Sequence, residues 1–573
     1  MTWALTIGLP LLLAFVVPVA RLRPGWYGAV LGAAALPALY AGMAGAAPAQ
    51  MSWLLLESSF GLDGTRRVLL SFTALLWGIA GVYAGAYLAH DRSRGPFAFF
   101  FLLTMAGNLA LVAAEDVPGF YTGFVLMTFA SYGLVIHNRS HEALRAGRIY
   151  LVMAILGELF LLAGIYLVVA AADSLLLVDM GAALAEMPLR NPALLLLLAG
   201  FGVKAGAVPL YFWLPLAHPV APTPASAVLS GAMIKAGLLG WIHFSPAGSA
   251  PLPGWSGVLI ALGLIAAFGA VVIGLFQTDP KTNLAYSSIS QMGLMTVLFG
   301  IGLAATEARD TTAPALALYA WNHGLAKGAL FLGVGVALAA DRAKGWVLAG
   351  LALPALTIAG APFTGGAFTK YALKEAVAFT PGAWSDPILW LLPLSALGTS
   401  LLLGRFLLLT WKKMGSEAGH GSFRGLATSW LVLLGIVAIG VPWARGHFGL
   451  ETPVPSASPE QLFDSAWPVA VAAGLLFWAA RILKGKQSLP TVPPGDFLLP
   501  IERLVSAVRD IWRHRGLPDL RQGAINFVPI VDRILALEGT WRIVDRVERR
   551  LGSWNVVGFL FALIALGFIL ILG

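Results

Sequence analysis

A small set of ionisable side chains lies inside long apolar stretches of this sequence, where a charge costs at least about 2–3 kcal/mol in a membrane. Residues of this kind commonly mark proton or ion pathways. The main candidates are Glu158, Lys204, Lys235, His323, Lys327 and Lys370, with His218, Lys374 and Glu375 as secondary candidates. We therefore expect proton transfer among lysine, histidine and glutamate side chains, and we predict no catalytic residue and no metal ligand.

Two of these residues have the spacing of one helical turn. His323 and Lys327 are four residues apart, which places them on one face of a helix. Titratable groups this close affect one another's protonation. We interpret the pair as part of a proton pathway rather than as packed polar residues.

Two apolar stretches are interrupted by helix-breaking residues beside a lysine. Lys204 precedes a break at Pro209, and Lys370 follows a break at Pro362. Broken helices persist within a membrane only where protein or a wet cavity covers the freed backbone groups. One interruption in each half of the chain is typical of inverted-repeat transport proteins, whose sites lie near the middle of the membrane.

The elements that carry these residues are predicted to be transmembrane helices. Of 573 residues, 58% are apolar and 11% are charged, whereas soluble domains are about 45–50% apolar and about 25% charged. This composition excludes a soluble globular or disordered protein, and the lack of cysteine excludes disulfides, iron–sulfur clusters and thiolate metal sites. We predict an all-α polytopic membrane protein with about 14–16 transmembrane helices. The predicted spans are 2–20, 26–46, 67–89, 96–114, 118–137, 149–172, 193–214, 224–244, 256–276, 284–304, 314–340, 346–380 (interrupted), 387–411, 427–443, 465–483 and 553–572.

The basic residues between these spans predict the orientation, because Lys and Arg accumulate in cytoplasmic loops. Loops that follow odd-numbered predicted spans lie on one side of the membrane, which we call the odd-loop face. Loops that follow even-numbered predicted spans lie on the other side, which we call the even-loop face. The even loops hold only Arg66, Arg67, Arg190, Arg309 and Arg445. The odd loops hold Arg21, Arg23, Arg92, Arg94, Arg139, Arg145, Arg148, Lys281, Arg342, Lys344, Lys412, Lys413, Arg424, Arg481, Lys484 and Lys486. We predict that the odd-loop face is cytoplasmic, and we attribute the net charge of +9 to orientation rather than to nucleic-acid binding.

Residues 498–552 are too charged to span a membrane, yet they carry apolar residues at helical spacing between Phe527 and Leu535. This pattern favours an amphipathic helix along the membrane surface. It either lies at the interface alone or clamps spans of this or a neighbouring subunit, with 553–573 as a final transmembrane anchor.

Four segments resemble the antiporter-like membrane subunits shared by respiratory complex I, Mrp sodium/proton antiporters and group 4 membrane-bound hydrogenases. They are KAGAVPLYFWLPLAHPVAPTPASAVLSGAMIKAG (204–237), DPKTNLAYSSISQMG (279–293), NHGLAKGALFLGVG (322–335) and GAPFTGGAFTKYALKEA (360–376). The resemblance is strong over residues 70–410. It implies two inverted five-helix repeats, at about 96–244 and 256–411, each with one discontinuous helix.

The same resemblance implies a central polar axis for protons, made of Lys204, Lys235, His323, Lys327 and Lys370. The sequence departs from the family at helix 5, where a glutamate is usual and this chain has Phe124 and Val125. Glu158 on the next helix is the nearby carboxylate that could replace it as the partner of Lys204.

We predict a proton-translocating subunit of a complex I-like, hydrogenase-type or Mrp-type complex in a bacterial-type inner membrane. The sequence has no recognisable redox-cofactor motif, nucleotide loop or nucleophile, so we expect no cofactor in this chain. The energy must then come from partners, namely other membrane subunits in the lipid bilayer, and we expect these to belong to an ion-translocating oxidoreductase. Three alternatives stay open: a sodium/proton antiporter subunit, an energy-coupling subunit for inorganic-carbon uptake, and a scaffold without translocation.

The predicted organisation has five parts. An N-terminal group of helices (1–95) precedes the translocation core (96–411), which is followed by additional helices (412–497), the lateral segment (498–552) and the terminal helix (553–573).

Overall fold

The computed structural model describes residues 1–20, 22–52, 57–416, 421–482 and 492–495. The chain divides into two compact units, Met1–Asp496 and Phe497–Gly573, and the description below concerns the first. The lateral segment at 498–552 and the terminal span at 553–572 lie outside the described residues, so both remain predictions.

The described part of the chain is an all-α membrane bundle, which confirms the predicted fold class. It contains 11 helical segments long and apolar enough to cross a membrane. Four more predicted spans correspond to helices that are shorter, broken or more polar, namely those at 118–137, 193–214, 314–340 and 346–380.

The helices follow one another along the chain with short connections. In chain order they are α1 (Thr2–Val19), α2 (Pro24–Ala33), α3 (Leu36–Tyr40), α4 (Gly64–Tyr87), α5 (Arg94–Ala113), α6 (Val117–Val135), α7 (His141–Ala172), α8 (Leu177–Glu186), α9 (Arg190–Ala205), α10 (Trp213–Val220), α11 (Thr223–Val228), α12 (Ile234–Phe244), α13 (Pro253–Leu275), α14 (Pro280–Gly302), α15 (Ala308–Leu338), α16 (Lys344–Ala359), α17 (Gly365–Ala376), α18 (Ser385–Lys413), α19 (Phe423–His447) and α20 (Pro459–Ile482). Short π-helical turns at Ala41–Gly45 and Leu229–Met233 and 3-10 turns at Val377–Phe379 and Gly382–Trp384 complete the helical structure.

Two elements were not predicted from the sequence. A small antiparallel hairpin pairs β1 (Ala49–Met51) with β2 (Ser58–Phe60), and Asp116 accepts a hydrogen bond from the Ser59 backbone N–H at 2.6 Å. The short helix α8 buries Leu177, Met180 and Leu184 on one side. Both elements lie in even loops, where their packing depends on contacts with other loops rather than on a long local pattern.

The loops of each face contact one another, in agreement with the predicted span numbering. On the odd-loop face, His137 lies 2.9 Å from Asp91 and Lys413 lies 2.9 Å from Asp279. On the even-loop face, Arg66 pairs with Asp63 at 3.0 Å and with Glu115 at 3.5 Å. The assignment of the odd-loop face to the cytoplasm remains a prediction.

The Asp63–Arg66 pair also caps α4. Burial opposes ionisation of the Asp63 carboxyl, but the Arg66 guanidinium and backbone N–H lower its pKa below the usual value. The carboxylate accepts the Arg66 N–H at 2.7 Å, so it satisfies one of the free donors at the helix start.

Helices in the core approach closely because glycines face each other. A Cβ atom added at Gly293 of α14 would lie 2.5 Å from the Gly263 carbonyl oxygen of α13. Helix association in membranes depends on such small residues. The side chain at this crossing is therefore limited to a hydrogen atom.

Gly293→Ala is expected to destabilise the protein by about 1–3 kcal/mol, since the extra methyl group forces α13 and α14 apart. Thermal unfolding in mild detergent measures the effect as a lower midpoint. Gly269→Ala on α13 is the matched control, because no atom lies within 4 Å of a Cβ atom added there. Equal midpoints for the two variants would contradict the close packing.

Candidate functional site

Two broken helices organise the candidate site, as predicted. α9 ends at Ala205 and is followed by Gly206 with φ +69°, whereas α16 ends at Ala359 and is followed by Gly360 with φ +85°. Both glycines adopt the left-handed conformation that ends helices and that other residues rarely adopt. Each break therefore leaves helix-end carbonyls inside the bundle, within reach of buried donors.

Lys204, in the last turn of α9, is buried at one of these ends. Its Nζ donates to the Tyr150 hydroxyl at 3.0 Å, and that hydroxyl is 2.8 Å from the Thr128 carbonyl oxygen. Trp213 donates its indole N–H to the Val203 carbonyl oxygen at 2.8 Å, across the break. Lys204 is thus held by a neutral hydroxyl on α7 and not by a direct ion pair.

Glu158 lies on α7 near Lys204, so the structure brings this predicted pair together. The carboxylate is 7% exposed, and its electrostatic neighbours are Lys204, Thr128 and Tyr121. Neither carboxylate oxygen has a hydrogen-bond partner of normal geometry among the described residues. Both members of the pair line a cavity of about 20 Å³, which is enough for one water molecule.

Phe124 lines the same cavity. The family resemblance expects a glutamate at this part of α6, and the structure places Glu158 on α7 against the same space.

Lys327 lies at the centre of α15 and is completely buried. Its Nζ donates to the Leu284 carbonyl oxygen at 2.8 Å and to the Ser287 hydroxyl, both on α14. Ser287 follows a pattern of small hydroxyl residues that the sequence alone assigns to helix packing. The sequence gives no sign that this serine contacts Lys327, because helical spacing does not show which helix faces it.

Lys235 and His323 lie near Lys327. The Lys235 Nζ donates to the Ser230 carbonyl oxygen at 2.7 Å, which belongs to the π-helical turn Leu229–Met233. The charges of Lys235 and Lys327 both act on His323, whose two ring nitrogens have no hydrogen-bond partner in the described part of the chain. These three residues form one electrostatically coupled cluster on α12 and α15.

His218 of α10 borders this cluster. Its ring stacks on Phe331 with centroids 4.6 Å apart, and it responds to the charges of Lys327 and Lys281. His218 is completely buried. The structure thus places this secondary candidate next to Lys327, in the last turn of α10, the helix that follows the first break.

The second break places Lys370 and Lys374 differently. The Lys370 Nζ donates to the Ala359 carbonyl oxygen at 2.6 Å, at the end of α16. Lys374 is half exposed and pairs with Asp464 of α20 at 3.1 Å. Glu375 is exposed. The structure therefore separates Lys374 and Glu375 from the buried residues, and it reveals Asp464, which sequence analysis missed.

We refer to Glu158, Lys204, Lys235, His323, Lys327 and Lys370 as the titratable set. Its members fall into three places: the Glu158–Lys204 pair, the cluster around Lys327, and Lys370 at the second break. The helices that carry the first two places, α9 with Lys204 and α12 with Lys235, pack closely against each other. A Cβ atom added at Gly237 of α12 would lie only 2.7 Å from the Ala205 nitrogen of α9. In each of the first two places, buried ionisable groups thus lie within electrostatic reach of one another.

Comparison with known proteins shows which families this chain resembles. Residues 114–351 match the family described as "NADH:quinone oxidoreductase/Mrp antiporter, TM". Hydrogenase-4 component B of Escherichia coli is 30% identical over 284 residues, which cover 48% of this chain and 42% of that protein. Na(+)/H(+) antiporter subunit A1 of Staphylococcus haemolyticus is 32% identical over 346 residues, which cover 55% of this chain and 42% of that protein.

A solved structure shares the fold over nearly the whole chain. The Mrp complex from Dietzia sp. DQ12-45-1b superposes with a TM-score of 0.68 at 24% identity, covering 99% of this chain and 63% of that chain. The chain spans less than half the length of the two curated relatives named above. Residues 114–351 of this chain are therefore similar to the family described as "NADH:quinone oxidoreductase/Mrp antiporter, TM", and the wider chain is similar to hydrogenase-4 component B and to Na(+)/H(+) antiporter subunit A1.

Proposed function

We propose that this chain carries protons across the membrane through the titratable set, as one subunit of a larger membrane complex. The observation that carries the proposal is the burial of five ionisable side chains in the core of the bundle, in two electrostatically coupled groups. They are Glu158, Lys204, Lys235, His323 and Lys327. Burying a charge is costly, so such residues are retained in membranes chiefly where they serve transport.

Coupling between the groups supplies a mechanism for passing protons. In a medium of low dielectric, a change of charge at one site alters the energy of the next. When Lys204 loses its proton, the Glu158 carboxylate loses the positive charge that compensates it. When Lys235 gains a proton, its positive charge changes the electrostatic energy of His323 and Lys327. Within each group, a change of protonation at one site therefore alters the affinity of its neighbours for a proton.

Neutral hydroxyls support these transfers. Tyr150 accepts from Lys204 and Ser287 accepts from Lys327, and a hydroxyl can both accept and donate a proton. Backbone carbonyls, which only accept, hold Lys235 and Lys370. The lysines thus have partners in either protonation state without a permanent ion pair.

Partner subunits would supply the energy. Moving one charge against 100 mV costs about 2.3 kcal/mol, and we propose that this chain contributes no redox cofactor of its own. The two relatives are named as a hydrogenase component and an antiporter subunit, which supports a place in such a complex.

The proposal is tested with the purified complex in proteoliposomes that contain a pH-sensitive dye. A potassium diffusion potential of about 100 mV supplies the driving force. Proton flux is expected for the native complex and is expected to fall when Lys327 is replaced. Flux that is the same with and without Lys327 would reject the proposal and favour a scaffold.

Sodium/proton exchange is a second candidate, and one observation favours it. The Glu158 oxygens and the Thr128 hydroxyl have no hydrogen-bond partner of normal geometry among the described residues, and they adjoin the same cavity of about 20 Å³. Oxygen ligands suit hard cations such as Na⁺, although a protonated Lys204 would repel the ion. Binding of Na⁺ would then require release of the Lys204 proton, so an imposed sodium gradient should drive proton flux only in this case.

A further inference from the structure

Three helices enclose an open cleft beside the second helix break. α17, α18 and α20 form its walls, and the break between α16 and α17 forms its inner end. The cleft has a volume of about 530 Å³. A methylene group needs about as much space as a water molecule, roughly 30 Å³, so the cleft has room for one long acyl chain.

The walls of the cleft are mainly apolar and lie at the lipid-facing surface of the bundle. Phe368, Leu389 and Leu392 contribute apolar surface. Phe363 and Trp390 also line the cleft, and these two residues are 81% and 79% exposed. Only 28% of the span that contains α18 and 11% of the span formed by α20 are buried within the chain. Waters stay in such a space only where they find two to four polar partners, so hydrocarbon suits these walls better than water.

The cleft is about as deep as one leaflet of the membrane. Ser456, Gln461 and Asp464 line its mouth around the start of α20, and Gly360 and Pro362 line its inner end. α17 connects the two levels with 12 residues, which corresponds to about 18 Å. The hydrocarbon core of a bilayer is about 30 Å thick. The cleft therefore matches the reach of an acyl chain whose headgroup lies at the even-loop face, where α20 begins.

The break at the inner end can face hydrocarbon because its backbone groups have partners within the chain. The Gly360 and Ala361 N–H groups each donate to the Leu356 carbonyl oxygen at 3.0 Å. The Lys370 Nζ donates to the Ala359 carbonyl oxygen at 2.6 Å. Backbone at membrane depth must satisfy its polar groups internally before lipid can lie against it, and this break meets that condition at these positions.

The mouth of the cleft carries one positive and one negative side chain. Lys374 of α17 and Asp464 of α20 form an ion pair at 3.1 Å, and their side chains are 48% and 49% exposed. Exposed pairs of this kind contribute little to stability, so both groups can exchange each other for the charges of a ligand. Tyr371, Gln461 and Ser465 add groups that form hydrogen bonds to the same lining.

These two charges match a zwitterionic headgroup. A phospholipid with a primary ammonium offers a phosphate to the Lys374 ammonium and N–H donors to the Asp464 carboxylate. A choline headgroup has no N–H group to donate. An anionic headgroup lacks the positive charge, and the Asp464 carboxylate repels it.

We propose that the cleft between α17, α18 and α20 binds a phospholipid with a primary-ammonium headgroup. The phosphate contacts Lys374, the ammonium contacts Asp464, and one acyl chain follows the apolar walls to the break at Pro362. The proposal does not depend on proton transport. It gives Lys374 a role in holding lipid, apart from the titratable set.

Photo-crosslinking locates the site. The purified complex in mild detergent is mixed with a phosphatidylethanolamine that carries a diazirine in its acyl chain, and the labelled peptides are quantified by mass spectrometry. Peptides that contain Phe368 and Trp390 should be labelled more than the exposed apolar face of α7 around Leu159 and Tyr166. We expect a ratio of at least about fivefold, as for an affinity difference of about 1 kcal/mol. Equal labelling of the two surfaces would show ordinary contact with lipid and would overturn the site.

Competition against this probe measures headgroup selectivity. Phosphatidylethanolamine, phosphatidylcholine and phosphatidylglycerol with identical acyl chains are each added without the diazirine. The first should displace the probe from the cleft at a concentration at least about fivefold lower than the other two, a lower bound for one charge-assisted hydrogen bond. Equal competition by all three lipids would overturn the assignment of the headgroup.

Exposed variants at the mouth test the two contacts without disturbing the core. Asp464→Asn should remove the preference for phosphatidylethanolamine over phosphatidylcholine. Lys374→Gln should weaken all three lipids, because each of them carries a phosphate. Glu460→Gln is the matched control, since this exposed carboxylate on α20 lies outside the lining of the cleft. Unchanged selectivity in Asp464→Asn would contradict the contact with the ammonium.

A larger side chain in the wall tests the place of the acyl chain. Ala367→Phe, within the lining, should reduce labelling of the cleft, whereas Ala470→Phe at an exposed position on α20 should not. Labelling by a photoreactive isoprenoid quinone but not by the phospholipid would assign the cleft to another ligand and overturn the proposal. Labelling measures binding and not proton flux, so this inference and the proposed function can fail separately.

Discussion

Lys327→Met is expected to lower proton flux at least about tenfold while the complex still assembles. The variant removes the titratable group and leaves the Leu284 carbonyl and the Ser287 hydroxyl without their donor. A positioned side chain that transfers protons typically contributes about 10²–10⁴-fold to a rate, so a tenfold loss is a conservative bound. Flux in proteoliposomes under the imposed potential measures the effect.

Lys327→Arg separates the loss of charge from the loss of proton release. Arginine keeps the positive charge but is not deprotonated in proteins, so this variant should also lose flux. Lys412→Met, at an exposed position on the odd-loop face, is the matched control and should retain flux. Normal transport by Lys327→Arg would show that this position needs only a charge, which contradicts a proton-carrying role.

Glu158→Gln is expected to impair flux as much as Lys204→Met. The two side chains interact electrostatically across one small cavity, so removing either member leaves the other as an uncompensated buried group. The double variant should be no worse than either single variant, as expected for residues that act as one unit. Losses that multiply in the double variant would mean that the two residues act independently.

Two further variants sharpen this test. Glu142→Gln removes an exposed carboxylate from the start of the same helix and should leave flux unchanged. Phe124→Glu in the Glu158→Gln background places a carboxylate on α6 against the same cavity. Partial recovery of flux is expected, because a charge facing Lys204 matters more than the helix that carries it. A complete lack of recovery in a folded variant would show that the position on α7 is required.

Local features of the sequence determined the membrane fold and most of the titratable set. Apolar stretches long enough to span a bilayer permit little but helices, since no water is present to satisfy the backbone. The breaks at Gly206 and Gly360 follow from glycine and proline at these positions. An ionisable residue within such a stretch is conspicuous because its burial is costly.

The tertiary structure decided which of these residues meet. Lys204 contacts Tyr150, which is 54 residues away in the chain, and Lys327 contacts Ser287 on a neighbouring helix. The sequence made Lys374 a secondary candidate close to Lys370, and the fold pairs it with Asp464, which is 90 residues away in the chain. Helical periodicity determines which residues share a face of a helix, but it does not determine which other helix packs against that face. Partners that lie on separate helices are therefore set by the packing of the whole bundle, and only the folded chain reveals them.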